Sequence, residues 1–424
     1  MKRAQNLIAN YIGTAVCLLM PLILLPTYLG YLGASKWGLF GFASTIIAII
    51  SVIEVGIGQI LSRELVFLLE KEEMRVLPIM RGLAKIYAAF SIALAAFFIL
   101  ISNQIVTRWL NAPPNLSFDA HAVVYFGAVY GVIQIMGSLY RSLLIARESH
   151  ASLNYIIVSF TVSRHLGGAI VCWSTQSLPL FLLWYSFNGF AEVLVRRHVS
   201  TLSLHNGFDI SIVDLRGALT LCRKGLVLSG AVILSVLTTQ IDKIVLSGTS
   251  SLSQFGYYVV ASNLAGAVLQ ITHPFAITYI PFLVKATHDR FYFNSLCKRA
   301  LMLALVVTLL IAAGYMFLGK HLLAMWIGET SNEIKEILDV LIIGSLLNIV
   351  YQVGYQRWIA LGKTRNIATV NCISLICAVL ALPYLISLYG VRGAAIAWIL
   401  INGLGAICST VGILCADSPR KKLI

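Results

Sequence analysis

The chain has 424 residues, of which 59% are hydrophobic and 11% are charged, and its mean hydropathy is +0.87. A typical soluble domain carries about 25% charged residues, so this composition excludes a soluble globular protein. It indicates a membrane protein, in which about 20 consecutive apolar residues form one span. The net charge of +14 does not require a nucleic-acid partner, because membrane topology accounts for it.

Apolar runs along the chain predict twelve transmembrane helices. The charged start "MKRAQNLIANYIG" leads directly into the first run, and no small-residue cleavage site is present. We therefore expect a retained span instead of a removed signal peptide. The predicted spans cover residues 8–28, 39–61, 82–101, 120–140, 154–173, 178–195, 225–247, 255–283, 300–318, 337–356, 366–387 and 393–414.

The basic residues are distributed unevenly among the predicted loops. Of the 31 Lys and Arg residues, 23 lie at the two termini and in alternate loops, while the other loops hold five. The positive-inside rule then places both termini in the cytoplasm. None of the eight cysteines lies clearly in an outer loop, so no disulfide framework is expected.

The two halves of the sequence resemble each other. "WYSFNGF" from Trp184 matches "WILINGL" from Trp398 at an offset of 214, and three other short matches follow at offsets of 215 to 217. The pattern predicts an all-α protein of twelve transmembrane helices in two six-helix lobes, related by a pseudo-two-fold axis along the membrane normal. Such parallel repeats are typical of transporters, although a duplication kept only for stability stays an alternative. The predicted parts are an N-terminal lobe (1–196), a cytoplasmic linker (197–224), a C-terminal lobe (225–414) and a cytoplasmic tail (415–424).

Arg164 is the deepest charged residue in the predicted spans. A charge at a helix centre costs about 2.5–3.5 kcal/mol on insertion scales, and such residues usually face a cavity or a partner. Thr161 and Gly168 lie on the same helical face as Arg164, which makes that face polar and roomy. Two roles are open for Arg164: contact with an anion in a cavity, or pairing with a buried acid.

Asp242 and Lys243 stand side by side in the seventh span, in "TTQIDKIVLSG". Asp242 shares a face with Ser235 and Thr238, and this polar stripe predicts that it faces inward. Neighbouring residues of a helix point about 100° apart, so we do not expect these two side chains to pair. Lys243 either has a function or extends to the membrane surface, as long basic side chains do.

Glu54 in the second span is either a proton-coupling carboxylate or the partner of a basic residue. Glu192 has Arg196 four residues further on, so a local ion pair is expected there. Three basic residues at inner span ends are mainly topology signals, but they could also ring an inner vestibule: Arg63, Arg141 and Arg357. Lys85 lies one turn inside the cytoplasmic end of the third span, where it either extends to the membrane surface or contributes to the cavity.

The sequence contains no motif for soluble enzyme chemistry. It lacks a Walker loop and a His/Cys/Asp/Glu cluster with metal-ligand spacing, so no cofactor or metal is expected. The longest predicted outer loops, near 102–119 and 319–336, are too short for a membrane polymerase or glycosyltransferase. Because the deepest buried charge is positive, an anionic headgroup fits the buried set better than a drug-like cation.

The stretch from Asn6 to Leu65, with its "YLG", "GLFGF" and "LSRE" elements, resembles the opening of Wzx-type polysaccharide flippases. These belong to the multidrug/oligosaccharidyl-lipid/polysaccharide exporter (MOP) superfamily. "TQIDKIVLSG" is similar to the seventh helix of that family, and "MWIG" before the tenth span adds to the likeness.

The resemblance implies that the chain moves an undecaprenyl-diphosphate-linked oligosaccharide from the cytoplasmic to the periplasmic leaflet of the bacterial inner membrane, with ion coupling. Asp242 and Lys243 match the family's seventh-helix motif, Arg63 and Glu64 match the close of span two, and Glu54 stands where relatives often have an acid. The implied partners are membrane lipids, with a polysaccharide polymerase and chain-length machinery as further candidates. The alternative function is a drug/cation antiporter of the same superfamily.

Overall fold

The computed structural model describes residues 2–202, 213–328 and 331–415. It gives no side-chain detail for 2–12, 52–57, 59–60, 225–233, 271–281 and 364. All regular secondary structure in the described ranges is helical. This confirms the predicted all-α class. Helices suit a membrane protein, because a chain crossing lipid must satisfy its backbone hydrogen bonds within helices or closed barrels.

Eleven of the helices are long and one has a single turn. A π-helical turn (Ile105–Trp109) and a 3₁₀ turn (Pro114–Leu116) separate α3 from α4. Within the described residues, nine helices are long and apolar enough to cross a membrane. The helices are α1 (Lys2–Lys71), α2 (Glu73–Leu100), α3 (Ser102–Gln104), α4 (Ser117–Ala146), α5 (His150–Thr175), α6 (Leu178–Thr201), α7 (Leu215–Thr249), α8 (Leu252–Ala286), α9 (Arg290–Ile327), α10 (Ser331–Ala360), α11 (Thr364–Tyr389) and α12 (Val391–Leu414).

Helix α1 contains the first two predicted spans. Its only non-helical residue is Gly33, with φ 79° and ψ 164°. This backbone conformation is open almost only to glycine, because it has no Cβ. The predicted loop at 29–38 is thus reduced to one residue. With α1 counted as two segments, the described ranges contain twelve helical segments long enough to span a membrane.

The segment of α1 before Gly33 runs parallel to α5. Near its start, Cys17 Sγ is 3.5 Å from Thr161 Oγ1. Further along both helices, Tyr28 Oη lies 3.1 Å from His165 Nδ1. Contacts that advance together along two helices require the helices to point the same way.

The segment of α1 after Gly33 runs parallel to α4. Ile46 packs at Gly127, and Ile50 packs one helical turn further on, at Gly131. Since α4 and α5 are joined by a turn of only three residues at 147–149, they run in opposite directions. The two segments of α1 are therefore antiparallel, and Gly33 is where the chain reverses.

The chain divides into two compact units, Met1–Val236 and Leu237–Ile424. In the first unit, α4 packs against α1, α2 and α6, and α6 also packs against α5. In the second unit, α10 packs against α8, α9 and α12, and α12 also packs against α11. The order of packing is the same in both units, as the sequence repeat predicts.

Several boundaries differ from the sequence prediction. Helix α6 continues to Thr201, past the predicted end of the first lobe at 196. Helix α7 begins at Leu215, and the division between the units falls inside it. Helix α9 extends to Ile327 and helix α10 begins at Ser331, so most of the predicted outer loop at 319–336 is helical. Apolar run length underestimates these helices because their ends carry polar residues outside the hydrocarbon.

An aromatic cluster forms the core of the first unit. Tyr28 stacks on Trp37 with ring centroids 5.4 Å apart and meets the edge of Phe181 at 5.3 Å. Phe181 also lies 4.6 Å from Tyr185 on the next turn of α6. Tyr28 and Phe181 are fully buried. This packing fixes α1 against α6 and sets the position of the polar residues described next.

Candidate functional site

One face of α6 carries four polar residues that are all buried: Tyr185, Asn188, Glu192 and Arg196. Their spacing of three or four residues places them in one line along the helix. Helix α6 packs against α4 and α5, so a row of polar groups lies inside the first unit. Buried polar groups of this kind in membrane helices usually mark a functional site.

Glu192 holds two arginines at once. Arg164 Nη2, from α5, donates to one carboxylate oxygen, and Arg196 Nη2 donates to the other. Glu192 is 6% exposed and Arg196 is 9% exposed, so these charges are out of contact with bulk water. We call Arg164, Glu192 and Arg196 the arginine–glutamate cluster.

Neighbouring groups orient Arg164. The indole of Trp184 donates a 3.1 Å hydrogen bond to the Arg164 carbonyl, and the guanidinium carbon lies 5.8 Å from the centre of the Tyr130 ring. One turn beyond Tyr185 on α6, Asn188 Nδ2 donates to Ser163 Oγ at 2.8 Å. These contacts hold α5 and α6 in a fixed register, with the guanidinium stacked on an aromatic face as arginine favours.

The cluster carries more positive than negative charge. Two guanidinium groups share one carboxylate, and among the described side chains Glu192 is the only acid paired with either arginine. The Nε atoms of Arg164 and Arg196 are both buried and have no hydrogen-bond partner. Buried donors without partners are costly, so the cluster is chemically suited to accept a second anion.

His165 lies beside the cluster with two tyrosine hydroxyls at one ring nitrogen. Tyr185 Oη is 2.9 Å and Tyr28 Oη is 3.1 Å from His165 Nδ1. Tyr28 also donates a 2.9 Å hydrogen bond to the His165 carbonyl. The imidazole thus links α1, α5 and α6. Its Nδ1 has a partner whether it accepts or donates, because a hydroxyl can do either.

The second unit contains a smaller polar site around Asp242, which is 2% exposed. Tyr258 donates its hydroxyl proton to Asp242 Oδ2, while Oδ1 has no hydrogen-bond partner. Lys243 Nζ lies 4.0 Å from Oδ1, so the prediction that these neighbours do not pair is wrong. The lysine chain is long enough to bend back along the helix, where Nζ also donates to the Thr239 carbonyl at 3.4 Å.

The polar site extends from α7 to two other helices. Thr238 Oγ1 donates to the Asn371 carbonyl on α11 at 3.5 Å. On α10, Tyr351 Oη donates to Asn371 Oδ1 at 3.2 Å. Asp242 is therefore buried within the second unit, in a polar site built from α7, α8, α10 and α11. That it faces a central cavity stays a prediction.

The other predicted site residues are scattered. Arg63 is exposed and stacks 5.8 Å from the Phe67 ring. Lys85 and Arg141 are exposed, and Arg357 is half-buried with an unpartnered Nε. The structure brings none of these four into the arginine–glutamate cluster, so the inner vestibule stays a prediction. The side chain of Glu54 lies outside the described residues.

A separate groove of about 490 Å³ lies at the start of α7. Arg75 Nη2 of α2 donates to Asp214 at 3.0 Å, and Lys224 pairs with Glu64 at 2.9 Å. Asp214 also caps α7, accepting from the Gly217 N–H at 2.7 Å. That hydrogen bond, followed by the Arg75 contact, lowers the pKa of the Asp214 carboxyl. The groove fixes the first turn of α7 against α1 and α2.

The sequence prediction missed the most important neighbour of Arg164. It treated Glu192 and Arg196 as a local pair near the membrane surface. The local pair is confirmed, but both residues are buried and join Arg164. One signal was available: residues 185, 188, 192 and 196 form a polar line along one face of α6. Their partner on α5 could not be found from α6 alone.

Comparison with known proteins supports the predicted resemblance. No family model matches the chain. A curated protein of Shigella flexneri, described as a "Putative O-antigen transporter", is 20% identical over 410 residues, covering 94% of each chain.

The fold is also shared with solved structures at low sequence identity. The lipid II flippase MurJ in an inward closed conformation matches with a TM-score of 0.74 and 14% identity, over 96% of this chain and 87% of that chain. An inward-facing multidrug resistance MATE transporter of the MOP superfamily matches with a TM-score of 0.71 and 13% identity, over 95% and 93%. A MOP transporter from Pyrococcus furiosus, reported with a binding pocket of reverse polarity, matches with a TM-score of 0.60 and 14% identity, over 97% and 94%. These similar proteins are transporters and flippases, in agreement with the non-enzymatic role predicted from the sequence.

Proposed function

We propose that this protein moves an undecaprenyl-diphosphate-linked oligosaccharide from the cytoplasmic to the periplasmic leaflet of the bacterial inner membrane by alternating access. The observation that carries the proposal is the arginine–glutamate cluster. It places two guanidinium groups inside a membrane protein, where one carboxylate balances them among the side chains that the structure describes.

Guanidinium groups suit this substrate class chemically. Arginine is always charged, and its planar fork donates two parallel hydrogen bonds to a phosphoryl group. A lipid-linked oligosaccharide carries its negative charge in the diphosphate, between an apolar chain that stays in the bilayer and a neutral or charged glycan. A buried cationic cluster within membrane helices therefore offers what the diphosphate needs in order to cross.

The comparisons support the same substrate class. The curated relative is described as a "Putative O-antigen transporter", and MurJ is described as a lipid II flippase. The likeness covers almost the whole chain in each case.

The charge of the cluster separates this proposal from cation export. A drug-like cation would be repelled by a buried site with an excess of arginine, whereas an anion would be attracted. The Pyrococcus furiosus transporter with reverse pocket polarity shows that one fold can carry opposite charge in its pocket. The alternative function, a drug/cation antiporter, is therefore less favoured, and the deletion experiment below distinguishes it from the flippase.

We propose further that the movement is coupled to an ion, with Asp242 and Glu54 as candidate coupling or gating acids. Asp242 is buried and has one carboxylate oxygen without a hydrogen-bond partner. Both termini are proposed to lie in the cytoplasm, on the distribution of basic residues. A polysaccharide polymerase and chain-length machinery are proposed partners, since they would use the exported repeat units.

Deletion of the gene in its host tests the function. The proposal predicts loss of surface polysaccharide, with lipid-linked repeat units accumulating on the inside of the membrane. Expression of the intact gene should restore display. Unchanged display combined with altered drug tolerance would contradict the flippase and favour the cation antiporter.

A further inference from the structure

We infer that Glu192 is an internal anion that occupies the arginines until it is protonated, so that binding of the substrate diphosphate takes up a proton. This inference rests on the proposed function and adds the residue that makes anion binding depend on pH. The geometry points to it because Glu192 occupies the positions on Arg164 and Arg196 that an incoming phosphoryl group would need.

The arginine–glutamate cluster differs from a one-to-one ion pair. One carboxylate balances one guanidinium, and a buried pair of that kind leaves no net charge. Here a carboxylate that is 6% exposed serves two arginines, and one Nε on each arginine lacks a partner. The excess positive charge among the described side chains and the unpartnered donors favour the binding of a second anion.

The titratable and charged groups around Glu192 come from its own helix, α6, and from the helices packed around it. Helix α6 contributes Arg196, and helix α5 contributes Arg164 and His165. Helix α4 contributes Tyr130 and, further out, Arg141. The hydroxyls of Tyr28 on α1 and Tyr185 on α6 contact His165, the residue that follows Arg164. Among these, Glu192 is the only acid, so its protonation changes the balance between the arginines and a phosphoryl group most directly.

The exchange is balanced in charge and atoms. One proton adds to the Glu192 carboxylate. The two guanidinium groups then donate their hydrogen bonds to the phosphoryl oxygens instead of to that carboxyl group. No covalent bond in the substrate changes. The cluster then presents two uncompensated positive charges, one for each phosphoryl group of a disubstituted diphosphate.

The experiment uses the purified full-length protein in detergent and a short-chain prenyl-diphospho-N-acetylglucosamine as the probe. This probe is disubstituted, so its own phosphoryl groups stay ionised over the range tested. Binding is measured by calorimetry in two buffers with different heats of ionisation, between about pH 5 and pH 8. The difference between the buffers gives the number of protons taken up with the probe.

The wild-type protein should take up close to one proton for each bound probe, and its affinity should rise as the pH falls. Glu192→Gln should bind at least about tenfold more tightly than wild type near pH 8, with no proton uptake. Asp339→Asn, which removes an acid paired with Lys335 at 2.6 Å in the other unit, should behave as wild type. His165→Gln should keep the proton uptake, since the proton is assigned to Glu192.

Absence of proton uptake in the wild-type protein would overturn the inference, and that measurement needs no variant. Uptake that persists in Glu192→Gln but vanishes in His165→Gln would also overturn it, because the proton would then belong to the histidine. If the glutamine variant is not monodisperse, Glu192→Asp keeps the charge and should keep the uptake; loss of uptake there contradicts the inference.

The two proposals can fail separately. Glu192-dependent uptake together with normal polysaccharide display in the deletion strain would retain the inference and reject the flippase. Loss of display on deletion, together with probe binding that takes up no proton, would retain the flippase and reject the role of Glu192.

Discussion

Removal of the Arg164 side chain would break only one of the two ion pairs that Glu192 makes. If the Arg164 side chain is shortened, Glu192 still pairs with Arg196 at a spacing of four residues. The acid is therefore not left alone in the membrane interior, where an unpaired buried charge would cost about 3–5 kcal/mol. This makes Arg164 a residue whose function can be tested without destroying the fold.

Arg164→Ala should abolish or strongly reduce polysaccharide display while the protein reaches normal membrane levels. Arg164→Lys should give an intermediate result, because an ammonium group is a point charge without the planar fork. Arg392→Ala, at an exposed arginine paired with Glu336, is the matched control and should display normally. Normal display by Arg164→Ala at matched protein levels would remove Arg164 from the mechanism.

Arg164 also shows what the sequence could and could not predict at the residue scale. The depth of Arg164 in the membrane and its polar helical face follow from its position and from the spacing of its neighbours. Both roles considered for it, contact with an anion and pairing with a buried acid, required a negatively charged partner. The identity of the partner depended on how α5 packs against α6, which no local pattern encodes. For Asp242 and Lys243, helix geometry predicted two side chains that do not pair, because it did not include the backward bend of the lysine chain.

At the scale of the helices, Gly33 sets the reversal between the two segments of α1. A Cβ there would meet no atom within 4 Å, so crowding would not cause any loss from Gly33→Ala. The cost would come from φ of 79° and ψ of 164°, a backbone region that costs other residues about 1–3 kcal/mol.

Gly33→Ala should thus lower the melting temperature of the detergent-solubilised protein. Gly30→Ala is the control, since a Cβ at that helical position also meets nothing within 4 Å. It should leave stability unchanged or raise it by about 0.5–1 kcal/mol through helix propensity. Equal melting temperatures for the two variants would show that the reversal does not depend on the glycine conformation.

Asp214 anchors the beginning of α7 in two ways that can be separated. Asp214→Asn keeps a side chain that caps helices well but removes the charge that pairs with Arg75. Asp214→Ala removes both, and the loss of the cap should cost about 0.5–2 kcal/mol. Thermal unfolding should therefore rank wild type first, the asparagine variant second and the alanine variant last.

The pH dependence of this anchor follows from the lowered pKa of Asp214. A carboxyl whose pKa is lower in the folded state contributes its stability at neutral pH and loses it as the pH falls below about 4. The stability difference between wild type and Asp214→Asn should shrink in acid. A difference that grows as the pH falls would contradict the assignment.

Helices are the level at which sequence and structure agree best. Apolar runs indicated every long helix, because each must cover the same thickness of lipid. Their ends were less predictable, since α6, α7 and α9 carry polar turns beyond the hydrocarbon. The reversal at Gly33 was expected as a loop of ten residues, and only the backbone angles show that one glycine is enough.

Across the whole molecule, the sequence repeat predicted the shared packing order of the two units but not their chemical difference. The matching residues Asn188 and Asn402 have different partners: Asn188 donates to Ser163, whereas Asn402 accepts a 2.6 Å hydrogen bond from Asn348. The arginine–glutamate cluster belongs to the first unit, and the second unit has neutral amides along α10. An offset between short motifs conveys the helix order but not the charges that each unit carries.

The orientation of the chain can be tested by fusions at the two ends of α5. A fluorescent protein fused after Glu148 should fluoresce, because the positive-inside rule places the turn between α4 and α5 in the cytoplasm. Alkaline phosphatase fused after Ser177 should be active, because that turn should lie in the periplasm. The reverse pattern would invert the topology and the proposed direction of transport.

Transport in a purified system tests the central claim most directly. The protein would be reconstituted in liposomes with a fluorescent prenyl-diphospho-oligosaccharide, and the fraction of the lipid that becomes accessible to a membrane-impermeant quencher would be followed in time. The account predicts rapid translocation by the wild-type protein and a rate near that of empty liposomes for Arg164→Ala. Equal rates in protein-containing and empty liposomes, from protein that is monodisperse and correctly inserted, would contradict it.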